Sequence, residues 1–391
     1  MLKAILLDLD DTLIDTDTPR FVARYTQALA RWLTDCLPVP PPTDPVALIQ
    51  QGVAAAVQDL DPTRTLQEKM EARLAAAIGR PLSEIQAVLA AFHATDRPDL
   101  VTGIAPRIGA AGALRRFLAE GYAVVIATNP LFPAAAIRAR MAAGGLPLDL
   151  PYALITHSEN MHYAKPTPHY YEEILARVGA EADEALMVGD SQENDMVPAG
   201  EAGLKTYPTP DAAAWAGFLA RIDGGLLAEI ATQTAAPNRP DQVAPRLMGN
   251  TAALFGMVTS APPAYWNQRP TPGEWTPIQT VCHLRDSERD VQRPRLERIA
   301  REDNPFLSPP PPPDPGDCSA ADPQAIAAEF WAERQITLRF LAALPAEAWS
   351  RPARHAIFGP TSLVEMAHFT ARHDHLHLNQ LCQTLGKCCD S

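Results

Sequence analysis

Residues 4–13 read Ala-Ile-Leu-Leu-Asp-Leu-Asp-Asp-Thr-Leu, a short apolar run that ends in carboxylates. A run apolar at every position suits a strand buried on both faces of a parallel sheet. In an open parallel sheet, ligands bind at the carboxyl ends of the strands. Asp8 and Asp10 are therefore placed at a binding edge. Two acidic groups in one small site repel each other and are costly unless a cation or a chemical task holds them. Taken alone, the pair reads more readily as a solvated acidic turn. Asp11 reads better as surface.

Three more apolar runs follow, at residues 123–128 (AVVIAT), 153–156 and 185–189 (ALMVG). Helical patterns lie between them, at 108–120 and 168–178. Strands that alternate with helices predict a parallel sheet with helices on both faces. Residues 16–104 contain no strand pattern. They read as four helices, for example 19–36 and 65–78, and form an inserted helical subdomain.

Polar groups recur at the ends of these runs. Thr128 and Asn129 end the second. Lys165 precedes a helix. The fourth ends in Gly189-Asp190, with Asn194-Asp195 opening the next helix. Carboxylates, a hydroxyl, an ammonium and a helix N-terminus suit a phosphoryl group with Mg²⁺. They supply oxygen ligands for a hard cation and fixed positive charge for the anion.

Asp8-x-Asp10-x-Thr12, Thr128-Asn129, Lys165 and Gly189-Asp190-Ser191-x-x-Asn194-Asp195 resemble, in order, the four motifs of the haloacid dehalogenase superfamily. The resemblance covers residues ~1–225, and the helical insertion is similar to that family's helical cap. It implies a Rossmann-like α/β core and the following roles. Asp8 is the nucleophile, forming an aspartyl-phosphate. Asp10 is general acid and then base. Thr128 binds the phosphoryl oxygens, Asn129 lines the substrate site, and Lys165 neutralises developing charge. Mg²⁺ is held by Asp8, Asp190 and the Asp10 carbonyl. Asp195 belongs to the same metal site, orienting Lys165 or a metal-bound water. The cap excludes water and chooses the substrate. Dehalogenases in the family do not need the second aspartate, so Asp10 favours phosphoryl chemistry on a small phosphorylated metabolite. A phosphomutase would use the same residues. Arg20, Arg24 and Tyr25 of the cap read as solvated helix surface.

The chain carries 46 Asp and Glu against 33 Lys and Arg, a formal net charge of −13. No basic surface is available for bulk nucleic-acid binding. The first ten residues are too short and too acidic for a signal peptide. No run reaches the ~18 apolar residues of a membrane span. Six cysteines, sparse and irregularly spaced, suggest no disulfide framework. The expected setting is cytoplasmic. Oligomeric state is not legible.

Prolines punctuate the chain. A cluster at 38–45 separates two helical patterns, and 305–315 (PFLSPPPPPDP) reads as a polyproline-like loop. Residues 232–245 lack apolar periodicity and read as linker, which cuts the chain near 235. The expected parts are an α/β core (1–15 and 105–230), a cap (16–104), a linker (231–242) and an all-α four-helix bundle (243–386). The bundle shows no alternating runs. Its helices fall at about 243–258, 277–301, 323–343 and 362–385. Thr276-Pro277-Ile278-Gln279 and Ser362-Leu363-Val364-Glu365 have the form of capping boxes.

Six of the chain's 10 histidines lie in the bundle. His373 and His377 are i, i+4 and share a helix face. Phe369, Thr370, Leu376 and Gln380 lie near that stripe, so it is expected to face inward. His375 is rotated about 200° from His373 and His368 about 140°, so both are expected outward. Two imidazoles at this spacing form a divalent-metal pair. His283, on the second helix, is either a core histidine or a third ligand.

Trp275-Thr276-Pro277-Ile278, His283-Leu284-x-Asp286 and His373-Asp374-x-x-His377-Leu378-x-Gln380 resemble the DinB-like four-helix family over residues ~240–385. That resemblance implies His283, His373 and His377 as a three-histidine site for Zn²⁺ or Ni²⁺, with an open position. Some relatives are implied to be metal-dependent thiol transferases. The competing reading is a metal- or thiol-binding bundle with an accessory first domain. Cys282 reads as a buried small hydrophobe, and Cys388 and Cys389 as a frayed tail.

Overall fold

A computed structural model describes residues 1–37, 44–95, 97–234, 237–269, 271–309 and 316–389. The chain splits into two compact units, Met1–Ala235 and Ala236–Ser391. Most of the 38–45 proline cluster, residues 310–315 of the polyproline run, and the side chains of Cys388 and Cys389 lie outside the described residues.

In the first unit the strands are β1 (Ala4–Leu7), β2 (Ile14–Asp15), β3 (Ala105–Pro106), β4 (Ala123–Ile126), β5 (Leu154–Ile155), β6 (Ala185–Gly189) and β7 (Lys205–Pro208). Five form one parallel sheet in the order β5-β4-β1-β6-β7. Every residue of β1 and β6 is buried, as expected of central parallel strands covered on both faces. The edge strand β7 alternates between half-buried and exposed, and its Lys205 and Pro208 gave no apolar run to read.

The helices are α1 (Thr18–Cys36), α2 (Pro45–Gln58), α3 (Leu66–Ile78), α4 (Leu82–Ala94), α5 (Ala110–Ala119), α6 (Ala134–Ala143), α7 (Pro168–Val178), α8 (Val197–Glu201), α9 (Ala212–Asp223) and α10 (Leu226–Ala231). α1–α4 are the insertion. They bury their own core, including Tyr25, Leu29, Leu33, Leu74, Leu89 and Phe92. Tyr25 is thus a core residue of the insertion rather than solvated surface. Where the chain leaves and re-enters the sheet layer, β2 and β3 pair antiparallel, Ile14 opposite Pro106. This two-stranded stem was not expected.

In the second unit the helices are α11 (Val243–Ser260), α12 (Pro277–Ser287), α13 (Arg293–Arg301), α14 (Pro323–Ala342) and α15 (Leu363–Cys389). The Thr276 capping box forms: Thr276 Oγ1 accepts from the Gln279 N–H, and the Gln279 side chain accepts from the Thr276 N–H. The stretch read as one helix over 277–301 is broken by a π-helical turn, Glu288–Gln292. Pro294 follows it and has no N–H to give, so the ladder widens just before it.

A small sheet also corrects the all-helical expectation. β8 (Phe306–Leu307), β9 (Pro352–His355) and β10 (Gly359–Ser362) pair in the order β10-β9-β8. β8 lies inside the stretch read as polyproline-like loop, and takes an edge position. β9 alternates exposed and buried, but over four residues the pattern is too short to read.

α15 packs against α11, α12 and α13. His368 and His375 are buried, at 3% and 4% exposure, while Leu376 is 67% exposed. The expected directions of all three are therefore corrected. Helical rotation gives a residue's face, but a helix covered from several sides has more than one inward face. His368 Nε2 bonds the Arg239 carbonyl at 2.9 Å.

Candidate active site and metal centre

Strand ends bring the first site together. Asp8 follows β1, Thr128 follows β4, Asp190 follows β6, and these strands are neighbours in the sheet. Lys165 arrives on the loop before α7. Glu173 of α7 accepts from the His162 N–H at 3.0 Å and Lys69 of α3 donates to the His162 carbonyl at 2.8 Å, which fixes that loop. The Lys165 ammonium lies 2.6 Å from Asp8 Oδ1 and 2.6 Å from Asp195 Oδ1. Asp195 sits on a π-helical turn, Gln192–Met196, and its other oxygen accepts from the Ser191 N–H at 3.1 Å. The Thr128 carbonyl accepts from Thr156 Oγ1 at 2.7 Å and Tyr170 Oη at 2.8 Å, which anchors the end of β4.

Carboxylate oxygens of Asp8, Asp190 and Asp195 lie within 4.8 Å of one another. Burial pushes Asp8 up to about 7; the Lys165 charge pulls the other way, and Asp195 and Asp190 add to the rise. Burial, then Asp195, pushes Asp190 up to about 6. Lys165 is held well above its ordinary value because Asp195 and Asp8 outweigh its burial. Three acids around one ammonium leave an excess of negative charge in a buried place. That donor set fits a hard divalent cation such as Mg²⁺. Asn129 Oδ1 is buried without a partner, as a group lining a polar ligand's site would be.

Asp10 is placed differently. Its carboxylate pairs with Arg140 of α6 and is not part of the three-acid cluster. The Asp10 carboxylate is thus engaged by Arg140 rather than grouped with the three acids. Asp11 adopts a left-handed conformation, φ 56°, and turns its carboxylate to Thr16 N–H and Thr18 Oγ1. Arg140 was not read from the sequence. It stands in an alanine-rich helix (AAAIRARMAA) with no motif around it.

In the second unit, His283, His373 and His377 each present a ring nitrogen within 4.8 Å of the others. His283 Nε2 and His373 Nε2 are 3.2 Å apart. Gln380 Oε1 lies 3.0 Å from His377 Nδ1, so that nitrogen carries the proton and Nε2 is left to bind a metal. Burial, with the neighbouring imidazoles, pulls His283 down to about 3 and His377 to about 4. Converging imidazole nitrogens fit Zn²⁺ or Ni²⁺. The Trp275 indole stacks on His377 at 5.8 Å and 15°. Behind the site, Arg334 is fully buried between Glu288 and Asp374, at 2.9 and 2.6 Å. The Cys282 thiol is pushed up to about 12 by burial, then by Cys318, and stays protonated.

The fold and this constellation define a class. The family model for haloacid dehalogenase-like hydrolases matches residues 2–203, and the chain belongs to that family. It is a hydrolase carrying a second domain: residues 246–381 match the model of the DinB superfamily. Among curated proteins, phosphoglycolate phosphatase of Rhodospirillum rubrum is 31% identical over 214 residues, 52% of this chain and 78% of that one. Among solved structures, a 2-haloacid dehalogenase from Pseudomonas syringae is 25% identical, covering 53% of this chain and 85% of that chain, with a TM-score of 0.35. YfiT from Bacillus subtilis, described as a probable metal-dependent hydrolase with an unusual four-helix bundle topology, is 20% identical. It covers 39% of this chain and 91% of that chain, with a TM-score of 0.32. Among the described residues no helix is long and apolar enough to cross a membrane.

Proposed function

We propose that the first unit hydrolyses the phosphate monoester of a small metabolite in a Mg²⁺-dependent reaction. The observation that carries this reading is the Lys165 ammonium seated between Asp8 and Asp195, with Asp190 beside them. The similarity to a phosphoglycolate phosphatase supports the same substrate class. Mg²⁺, held by Asp8, Asp190, Asp195 and the Asp10 carbonyl, would neutralise charge on the phosphoryl oxygens.

An Asp8 carboxylate oxygen attacks phosphorus, and the bond from phosphorus to the ester oxygen breaks. The Asp10 carboxyl gives its proton to that leaving oxygen. Asp10, now a carboxylate, takes a proton from water; the oxygen attacks phosphorus and the bond to Asp8 breaks, releasing phosphate. Lys165 keeps Asp8 ionised and offsets the charge gathered on phosphorus. Thr128 and Asn129 hold the phosphoryl oxygens. Residues 1–15 and 105–230 form the catalytic core, 16–104 the cap, 231–242 the linker and 243–386 the bundle. The bundle holds Zn²⁺ or Ni²⁺ on His283, His373 and His377.

Asp8→Asn is the test. With Mg²⁺ and an aryl phosphate, the variant should retain its fold and lose turnover. Turnover at the wild-type rate would remove Asp8 from the reaction.

A further inference from the structure

Arg140 is buried to 1% exposure but binds none of the three acids at the cation position. Its guanidinium lies 4.4 Å from the centre of the Phe21 ring and 5.6 Å from that of Phe132. Phe21 belongs to α1 of the insertion; Phe132 lies three residues beyond Asn129. The charge therefore stands at the junction of cap and core, on the side of the site where Asp10 points. Arg140 Nη2 pairs with Asp10 Oδ2. Arg140 Nε and Asp10 Oδ1 are both buried without a partner.

A buried polar atom without a partner is unusual and costly. A guanidinium carries five donors in a planar fork, matched to a carboxylate that takes two of them. Here one carboxylate is engaged through one of its oxygens, and a donor remains.

We propose that Arg140 selects phosphate monoesters whose leaving group carries a carboxylate, and that its bond to Asp10 is the contact such a substrate exchanges. The proposal rests on the phosphatase reading, since it takes Asp10 as the group that serves the leaving oxygen. The leaving group must then lie on the Asp10 side of phosphorus, where Arg140 is. A carboxylate borne on the carbon next to the ester oxygen is the group that would meet the fork there. It replaces Asp10 on the guanidinium, so no buried positive charge is left unpaired. Asp10 is released to move its proton. A neutral leaving group cannot make this exchange. Either Asp10 stays tied, or the guanidinium is left bare; a site built to bond a group rejects analogues that lack it.

The experiment compares 2-phosphoglycolate with ethyl phosphate, which matches it in length and lacks the carboxylate. Steady-state kcat/KM with Mg²⁺ is measured for both in wild type, Arg140→Met and Arg140→Lys. The wild-type ratio should be about 100-fold or more in favour of the carboxylate. In Arg140→Met it should fall to within about tenfold of unity. Arg140→Lys keeps the charge without the fork and should fall between; it also carries the comparison if the Met variant does not fold. A wild-type ratio near one overturns the proposal. So does an unchanged ratio in the variants, which would mean that Arg140 only supports Asp10.

Binding separates this proposal from the phosphatase reading. Calorimetric affinities for both compounds are measured in Asp8→Asn and in Asp8→Asn/Arg140→Met. Preference for the carboxylate by about tenfold, lost in the double variant, supports Arg140 even if wild type hydrolyses neither ester; equal affinities overturn it.

Discussion

The Asp195 carboxylate fills the space that a Cβ on Gly189 would need. Gly189 ends β6, and Asp195 holds one side of Lys165. The absence of a side chain at one position thus sets the direction of a charge at another. Gly189→Ala should push Asp195 off Lys165. The expected loss is about 100-fold in kcat, since small misplacements in a site have effects of that order. The expected stability cost is about 1–3 kcal/mol from overpacking. Equal kcat in the variant would show that Asp195 does not orient Lys165.

Lys165→Met removes the cation from between Asp8 and Asp195, each 2.6 Å away. Asp8 then loses the positive charge that pulls against its burial, and the phosphoryl group loses its fixed cation. Turnover of an aryl phosphate should fall by roughly 1,000-fold or more, a loss of the size seen when a transition-state charge partner is removed. A fall of less than tenfold would argue that the ammonium is not needed.

His169, near the start of α7, is pulled down to about 4 by burial, from an ordinary 6.5. In the unfolded chain it takes up a proton first as pH falls. The folded state then binds fewer protons, so stability drops between about pH 6.5 and 4. The contribution is fully present above pH 6.5. His169→Phe keeps a ring beside Tyr163, 5.2 Å away in the wild type, and should flatten that part of the stability profile. Melting curves from pH 4 to 7 that fall in parallel for both proteins would contradict this.

Arg334→Met should leave Glu288 and Asp374 as buried carboxylates without a counter-charge. Breaking a buried ion group from one side costs about 3–5 kcal/mol. Denaturant unfolding should show the loss in the transition of the second unit. Replacing all three residues with apolar side chains of similar volume should recover most of it.

Gln380→Leu removes the acceptor that sets the His377 tautomer. Metal affinity should fall by about 10- to 100-fold, the range for lost outer partners of a ligating histidine. His283→Ala and His377→Ala should lose bound metal outright. Metal content by mass spectrometry after gel filtration distinguishes the two grades. Full occupancy in His377→Ala would remove that residue from the site.

Much of the first site was legible because its residues sit at the ends of apolar runs. A four-residue buried strand followed by Asp8 specifies both the element and the edge at which it ends. The same logic placed Thr128 and Asp190, while Asp195 was read at the start of the next helix. The edge strand β7 escaped because half of it faces solvent and its residues need not be apolar. His368 and His375 were misplaced for a related reason: their rotation was read correctly, but the number of helices around α15 is not written in α15.

The chain's own order of residues settled the parallel sheet, the helical insertion and the types of group at the site. Those follow from local periodicity and from chemistry carried by each side chain. Arg140 could not be found that way. Its pairing with Asp10 and its place over Phe21 and Phe132 join positions up to 130 residues apart. Only the tertiary fold brings them together, and only burial makes that charge need a partner.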